Sequence, residues 1–129
     1  MIKENDMVYI CSPLYAPTKE EIRTNMEQAR DYAKLVSEVF KCRALAPHAY
    51  LPELLDDRIP WERELGLSVG MRIIERCQAL VVCTRTISQG MMLEIEAARQ
   101  LKLPVYALLK AAPYLGVLKA TDGLKEEDG

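Results

Sequence analysis

The sequence predicts a small doubly wound α/β fold, flavodoxin- or Rossmann-like, with a parallel sheet of four to five strands and helices on both faces. Two observations carry this expectation. Short apolar runs recur near residues 7–11, 43–46, 79–83 and 105–109, and amphipathic stretches of helical period separate them. Apolar strands alternating with such helices build a parallel sheet covered on both sides. Right-handed crossovers then wind β-α-β-α-β-α-β into a doubly wound sheet.

Each element has its own warrant. Met7–Cys11 is a β-branched and aromatic run that reads as the first strand, broken by Ser12, Pro13 and Pro17. Thr18 and Glu21 have capping-box spacing and open a helix. Along that helix Ile22, Met26, Ala29, Ala33, Val36 and Phe40 recur at steps of three and four. Arg43–Ala46 is a short second strand stopped at Pro47, and a loop follows that contains His48. Pro60 suits the first position of a second helix, whose expected face is Trp61, Leu65, Val69, Ile73 and Cys77 at four-residue steps. Ala79–Cys83 is the third strand, Gln89–Leu101 the third helix with Ser88 as its N-cap, and Val105–Leu109 the fourth strand.

A length of 129 residues suits one domain (1–129), with a core at about 7–109. Residues 110–129 read as a weakly ordered tail or as an arm that docks on a partner subunit. A net charge of -2 without a lysine-arginine cluster argues against a nucleic-acid polymer as partner. No apolar stretch is long enough to span a membrane, and the charged N-terminus does not suit a secretory signal. The four cysteines have no CxxC spacing and there is a single histidine, so no metal site is expected. Buried free thiols in a reducing cytoplasm are the expected account.

Chemistry is expected where strand order reverses, between the first and third strands of a 2-1-3-4 sheet. Loops Ser12–Pro17 and Thr84–Gly90 should meet there, with Pro47–Pro60 alongside. At about 100° per residue, Gly90, Met91, Ala97, Ala98 and Leu101 lie within about 60° of Glu94 on the third helix, whereas Glu96 points away. An ionised carboxylate on such a face costs several kcal/mol unless paired, which marks Glu94 as a candidate functional acid or a buried salt-bridge partner. Tyr9 would approach it from the first strand. His48 is read either as hydrogen-bonded to backbone or as a substrate contact. Ser88 and Gly90 open a helix whose N-terminus can hold an anion. Neither a dinucleotide fingerprint nor a Walker loop is present.

Tyr9-Ile-Cys-Ser-Pro13, with Ser88-Gln-Gly90-Met-Met-Leu-Glu94, resembles the nucleoside 2-deoxyribosyltransferase family, which includes the 2-deoxynucleoside 5-monophosphate N-hydrolases. The likeness spans roughly residues 7 to 109 and is greatest to the family's uncharacterised bacterial and phage relatives. The resemblance implies a doubly wound fold in a homodimer or larger homo-oligomer. It implies that Glu94 is a nucleophile attacking C1 of a sugar, that Tyr9 orients it, and that Ser88 contacts sugar or phosphate. Ser12, Pro13, His48 and Gly90 complete the expected substrate-binding set. Two positions depart from the family pattern. Its Asp, which assists departure of the base, falls here at about Gly70 or Met71, and the first loop carries Pro13 and Tyr15 where the hydrolases have Ser and Arg.

The resulting expectation is a cytoplasmic enzyme, without cofactor or metal, that cleaves or exchanges the N-glycosidic bond of a small-molecule nucleoside or nucleotide. The alternative is a non-catalytic nucleotide-binding or sensing module on the same fold.

Overall fold

The computed structural model describes residues 2–109, 116–118 and 125–126. Strand β1 (Met7–Cys11) leads to helix α1 (Lys19–Phe40) and strand β2 (Arg43–Leu45). A 3-10 turn (Pro47–Ala49), a short helix α2 (Leu51–Leu54) and helix α3 (Pro60–Ile74) follow. Then come β3 (Ala79–Val82), β4 (Thr86–Ile87), α4 (Gln89–Gln100), β5 (Val105–Leu109), β6 (Gly116–Leu118) and β7 (Lys125–Glu126).

The main sheet has the order β2-β1-β3-β5-β6. Its first four strands are parallel, with Tyr9 opposite both Leu45 and Leu80, and Val82 opposite Ala107. The predicted doubly wound parallel sheet is therefore present, and strand order reverses between β1 and β3. Strand β6 adds an antiparallel edge on β5, and β4 pairs with β7 in a separate two-stranded sheet. Strands β6 and β7 fall within the stretch read as a tail; the remainder of 110–129 lies outside the described residues, and so does its reading as a docking arm.

Side chains of a strand alternate between faces, so each central strand feeds two cores. Tyr9, Cys11, Leu80 and Val82 pack with Ile74 of α3 and Met91, Ile95 and Ala98 of α4. Val8, Ile10, Ala79 and Val81 pack with Val36 and its neighbours on α1. This alternation decides the site: on β1 it directs Tyr9 and Cys11, but not Ile10, towards α4.

Local chemistry accounts for the helix starts. Thr18 Oγ1 accepts from the Glu21 amide at 3.1 Å, and Ser88 Oγ accepts from the Met91 amide at 3.2 Å, as N-caps do. Pro60 occupies the first position of α3, where a missing N–H costs nothing.

Three sequence expectations need correction. The stripe expected to bury α3 points partly outward: Trp61 is 65% and Leu65 45% exposed, whereas Gly70 and Ile74 are buried. Glycine and an isoleucine form the packing face because the backbone itself comes close to the core there. On α4 the buried residues are Met91, Glu94, Ile95 and Ala98, while Leu101 is exposed at the helix end. Finally, the segments read as plain loops hold the 3-10 turn, α2 and β4, elements too short to show a period.

Candidate active site

Glu94 is 3% exposed, at the floor of a cleft of about 690 Å³. The cleft walls come from Leu14–Pro17 after β1, the first half of α1, the Leu51–Arg58 segment and the start of α3. Glu94 enters from α4, which follows β3, so the acid lies at the reversal of strand order, as expected for this sheet.

Among the described residues, three side chains reach its carboxylate. The Tyr9 hydroxyl donates to Oε2. His48 Nε2 lies 3.3 Å from the same oxygen. The Cys11 thiol faces Oε1 at 3.6 Å, a weak donor that also lies 3.8 Å from the Met91 carbonyl. A buried carboxylate with this many donors is satisfied rather than stranded.

The histidine is fixed from its other end. Nδ1 lies 2.8 Å from the Ser12 carbonyl oxygen. A carbonyl can only accept, so Nδ1 carries a proton, and the proton between Nε2 and Oε2 is shared by an imidazolium–carboxylate pair or its neutral equivalent. Burial pulls the His48 pKa down. The charge and hydrogen bond of Glu94, with smaller help from the Ser12 carbonyl and Asp57, reverse this and leave it above the ordinary histidine value. The imidazolium is thereby favoured.

Tyr9 and Cys11 are held in their neutral forms. Burial first, then the Glu94 charge, pushes each well above its ordinary pKa. Burial likewise lifts Cys77 to about 11 and Cys83 to about 12, so these thiols are poor nucleophiles at neutral pH. Cys11, Cys42, Cys77 and Cys83 are all buried and free, as the sequence predicts.

Helix α3 closes the site from a third side. A Cβ built on Gly70 would lie 3.1 Å from the Tyr9 hydroxyl and 3.7 Å from Glu94 Oε2. One turn earlier, Gly66 lines the cleft itself. Gly70, one of the two positions (with Met71) at which the sequence places the family's Asp, therefore does face the carboxylate, but brings no side chain to it.

The structure joins Glu94, Tyr9, His48 and the Ser12 carbonyl in one cluster. The Ser12 hydroxyl is buried and has no hydrogen-bond partner among the described residues. Pro13 adjoins it, half-buried, and Ser88 and Gly90 stand at the start of α4; none of these three lines the cleft. Cys11 as a neighbour of Glu94 was not anticipated from sequence, although its i+2 spacing from Tyr9 on a strand puts both on one face. Among the described residues no group of three or more His, Cys, Asp or Glu side chains is arranged to hold a metal ion. No helix among them is long and apolar enough to cross a membrane.

The family model of the domain of unknown function DUF7768 matches residues 6–108, and the chain belongs to that family. No curated protein sequence matches it. Among solved structures it is similar to a 2-deoxyribosyltransferase from the psychrotolerant bacterium Bacillus psychrosaccharolyticus, with TM-score 0.56 and 12% identity over 78% of this chain and 70% of that one. At that identity the likeness is one of fold, and it relates this chain distantly to the fold of the family its sequence resembles.

Proposed function

We propose that this DUF7768 member cleaves or exchanges the N-glycosidic bond of a nucleoside or nucleotide, with Glu94 as nucleophile. The observation that carries the reading is the carboxylate itself: buried at a cleft floor, on the α4 face, with Tyr9 and His48 converging on Oε2. The chemistry is that of a retaining glycosidase. A carboxylate oxygen attacks C1 of the sugar, the base departs, and water or a second base resolves the glycosyl ester. Tyr9, neutral and buried, orients the nucleophile through its hydrogen bond. The fold shared with a 2-deoxyribosyltransferase and the motif resemblance both support this assignment.

Ser12, Pro13, Ser88 and Gly90 are proposed as sugar or phosphate contacts on the strength of the resemblance. The Ser88 hydroxyl accepts from the Met91 amide and keeps its own proton to donate. A homo-oligomer, a reducing cytoplasm and the absence of cofactor belong to the same proposal, and the buried free thiols are in keeping with the compartment.

Gly70 favours a second reading. With no carboxylate there to assist the leaving base, the cleft would serve a nucleotide-binding or sensing module. One assay separates the two. The protein is incubated with ribo- and deoxynucleosides and their 5-monophosphates, beside Glu94→Gln, and free base is measured by chromatography. Base released by the native protein and not by the variant supports the enzyme. No base from any of them, with a rise in melting temperature from one, supports the binding module.

A further inference from the structure

A carboxylate nucleophile does not by itself expel a nucleobase at a useful rate. The electron pair of the breaking bond stays on a ring nitrogen, and a proton delivered to the base as it leaves lowers the barrier. Gly70 supplies no such proton. Of the three described side chains that reach Glu94, Tyr9 and Cys11 are completely buried behind it, and His48 lines the cleft.

We propose that His48 is the acid that protonates the departing base and the base that then activates water or the second acceptor. The inference rests on the N-glycosidic reading and assigns that site its proton. Its anchor and its donor end are differently held. Nδ1–H is tied to the Ser12 carbonyl at 2.8 Å, a normal hydrogen bond, whereas Nε2 stands 3.3 Å from Glu94 Oε2. Charge-assisted N–H···O contacts close to about 2.7–2.9 Å, so of the two ring N–H groups the one at Nε2 is the less tightly bonded and can turn to a ligand in the cleft.

The steps balance. A Glu94 oxygen bonds to C1 as the bond from C1 to the base nitrogen breaks. The bonding pair goes to the base, and the His48 Nε2 proton joins the base, leaving a neutral imidazole and a glycosyl ester. Water then bonds to C1 and the ester bond breaks. The proton lost by water returns to Nε2, which restores the imidazolium and the carboxylate. Between steps the Ser12 carbonyl keeps Nδ1 protonated, so Nε2 is the nitrogen that exchanges.

The groups facing His48 favour this cycle. Glu94 of α4 and the more distant Asp57, in the segment after α2, stabilise the imidazolium, as does the Ser12 carbonyl at the end of β1. Tyr9 and Cys11 of β1 share Glu94 with it and stay neutral. A larger share of this ring is charged at neutral pH than of a free histidine.

The test compares native protein with His48→Gln on two substrates: the nucleoside turned over fastest, and the 4-nitrophenyl glycoside of the same sugar, whose leaving group departs as an anion without a proton. The variant is expected to lose about 10²–10⁴-fold on the nucleoside, the usual worth of general acid–base catalysis, and less than about tenfold on the nitrophenyl glycoside. His48→Asn, which can still donate to the Ser12 carbonyl, replaces it if the Gln variant does not fold. On the nucleoside, the native rate should fall as pH rises past the His48 pKa, and this limb should be missing from the variant's residual rate. Equal losses on both substrates, or a limb that persists in the variant, would overturn the acid role and leave His48 as a positioning residue for Glu94. If native protein and Glu94→Gln are alike in releasing no base from any nucleoside, the N-glycosidic reading itself has failed, and the acid role with it.

Discussion

Gly70 and Tyr9 are in direct apposition: a Cβ added to the glycine would stand 3.1 Å from the tyrosine hydroxyl. That spacing is tighter than ordinary packing, so any side chain at position 70 presses on the hydroxyl that donates to Glu94. Gly70→Ala should therefore separate stability from turnover. Alanine gains about 1 kcal/mol of helix propensity, and crowding costs about 1–3 kcal/mol, so the net change lies between about zero and about 2 kcal/mol of destabilisation. Turnover should fall too, by less than the ~10²-fold that a misplacement of about 1 Å can cost, because a 3.1 Å contact asks the hydroxyl to give by only a few tenths of an ångström. Urea melts and initial rates on the same preparation check both halves.

Removing the tyrosine hydroxyl exposes the cost of the buried acid. Tyr9→Phe leaves Glu94 Oε2 with His48 as its remaining close partner among the described residues. Losing a hydrogen bond to a buried charged group costs about 1.5–3 kcal/mol, which chemical denaturation would register as a lower midpoint at unchanged slope. Base release should fall as well, since the carboxylate is then less firmly oriented.

The His48–Glu94 pair makes stability depend on pH in a stated direction. The folded pKa of His48 lies above its unfolded value of about 6.5. Its contribution is thus fully present below pH ~6.5 and is lost as pH rises through the folded pKa. Compared with His48→Gln, native protein should lose denaturation midpoint across that upper window. A difference between the two that stays flat, or grows with pH, would mean that the pair contributes no such linkage.

How much of this was legible from residues alone depends on what periodicity can register. The sheet order and the place of Glu94 were accessible, because apolar strands and the run from Ser88 to Glu94 have clear patterns. The inward face of α3 was not. Its packing residues at the site are glycines, which no hydrophobic period detects, while Trp61 and Leu65 keep the period and face solvent. The role of His48 was half legible. Both sequence alternatives turn on its polar ring, but the Ser12 carbonyl lies 36 residues away and only the fold brings them together. Helix α2 and strand β4, with four and two residues, are too short to carry a pattern at all.

Ser88 serves one role visibly and a second by proposal, and two substitutions distinguish them. Its Oγ caps α4, so Ser88→Ala should cost about 1 kcal/mol, and Ser88→Gly only a few tenths. If the hydroxyl also contacts sugar or phosphate, both variants lose affinity for substrate, and KM rises in Ser88→Gly although its melting temperature is nearly native. An unchanged KM in that variant would reduce Ser88 to a cap.

The central claim is that Glu94 forms a glycosyl ester, and stereochemistry reads it directly. Turnover of a β-nucleoside in the presence of methanol is followed by proton NMR of the methyl glycoside, before any slow anomerisation of free sugar intervenes. Two displacements at C1 give the β-anomer, with retained configuration, and this is the predicted product. The α-anomer would mean a single direct displacement, in which Glu94 is not the nucleophile.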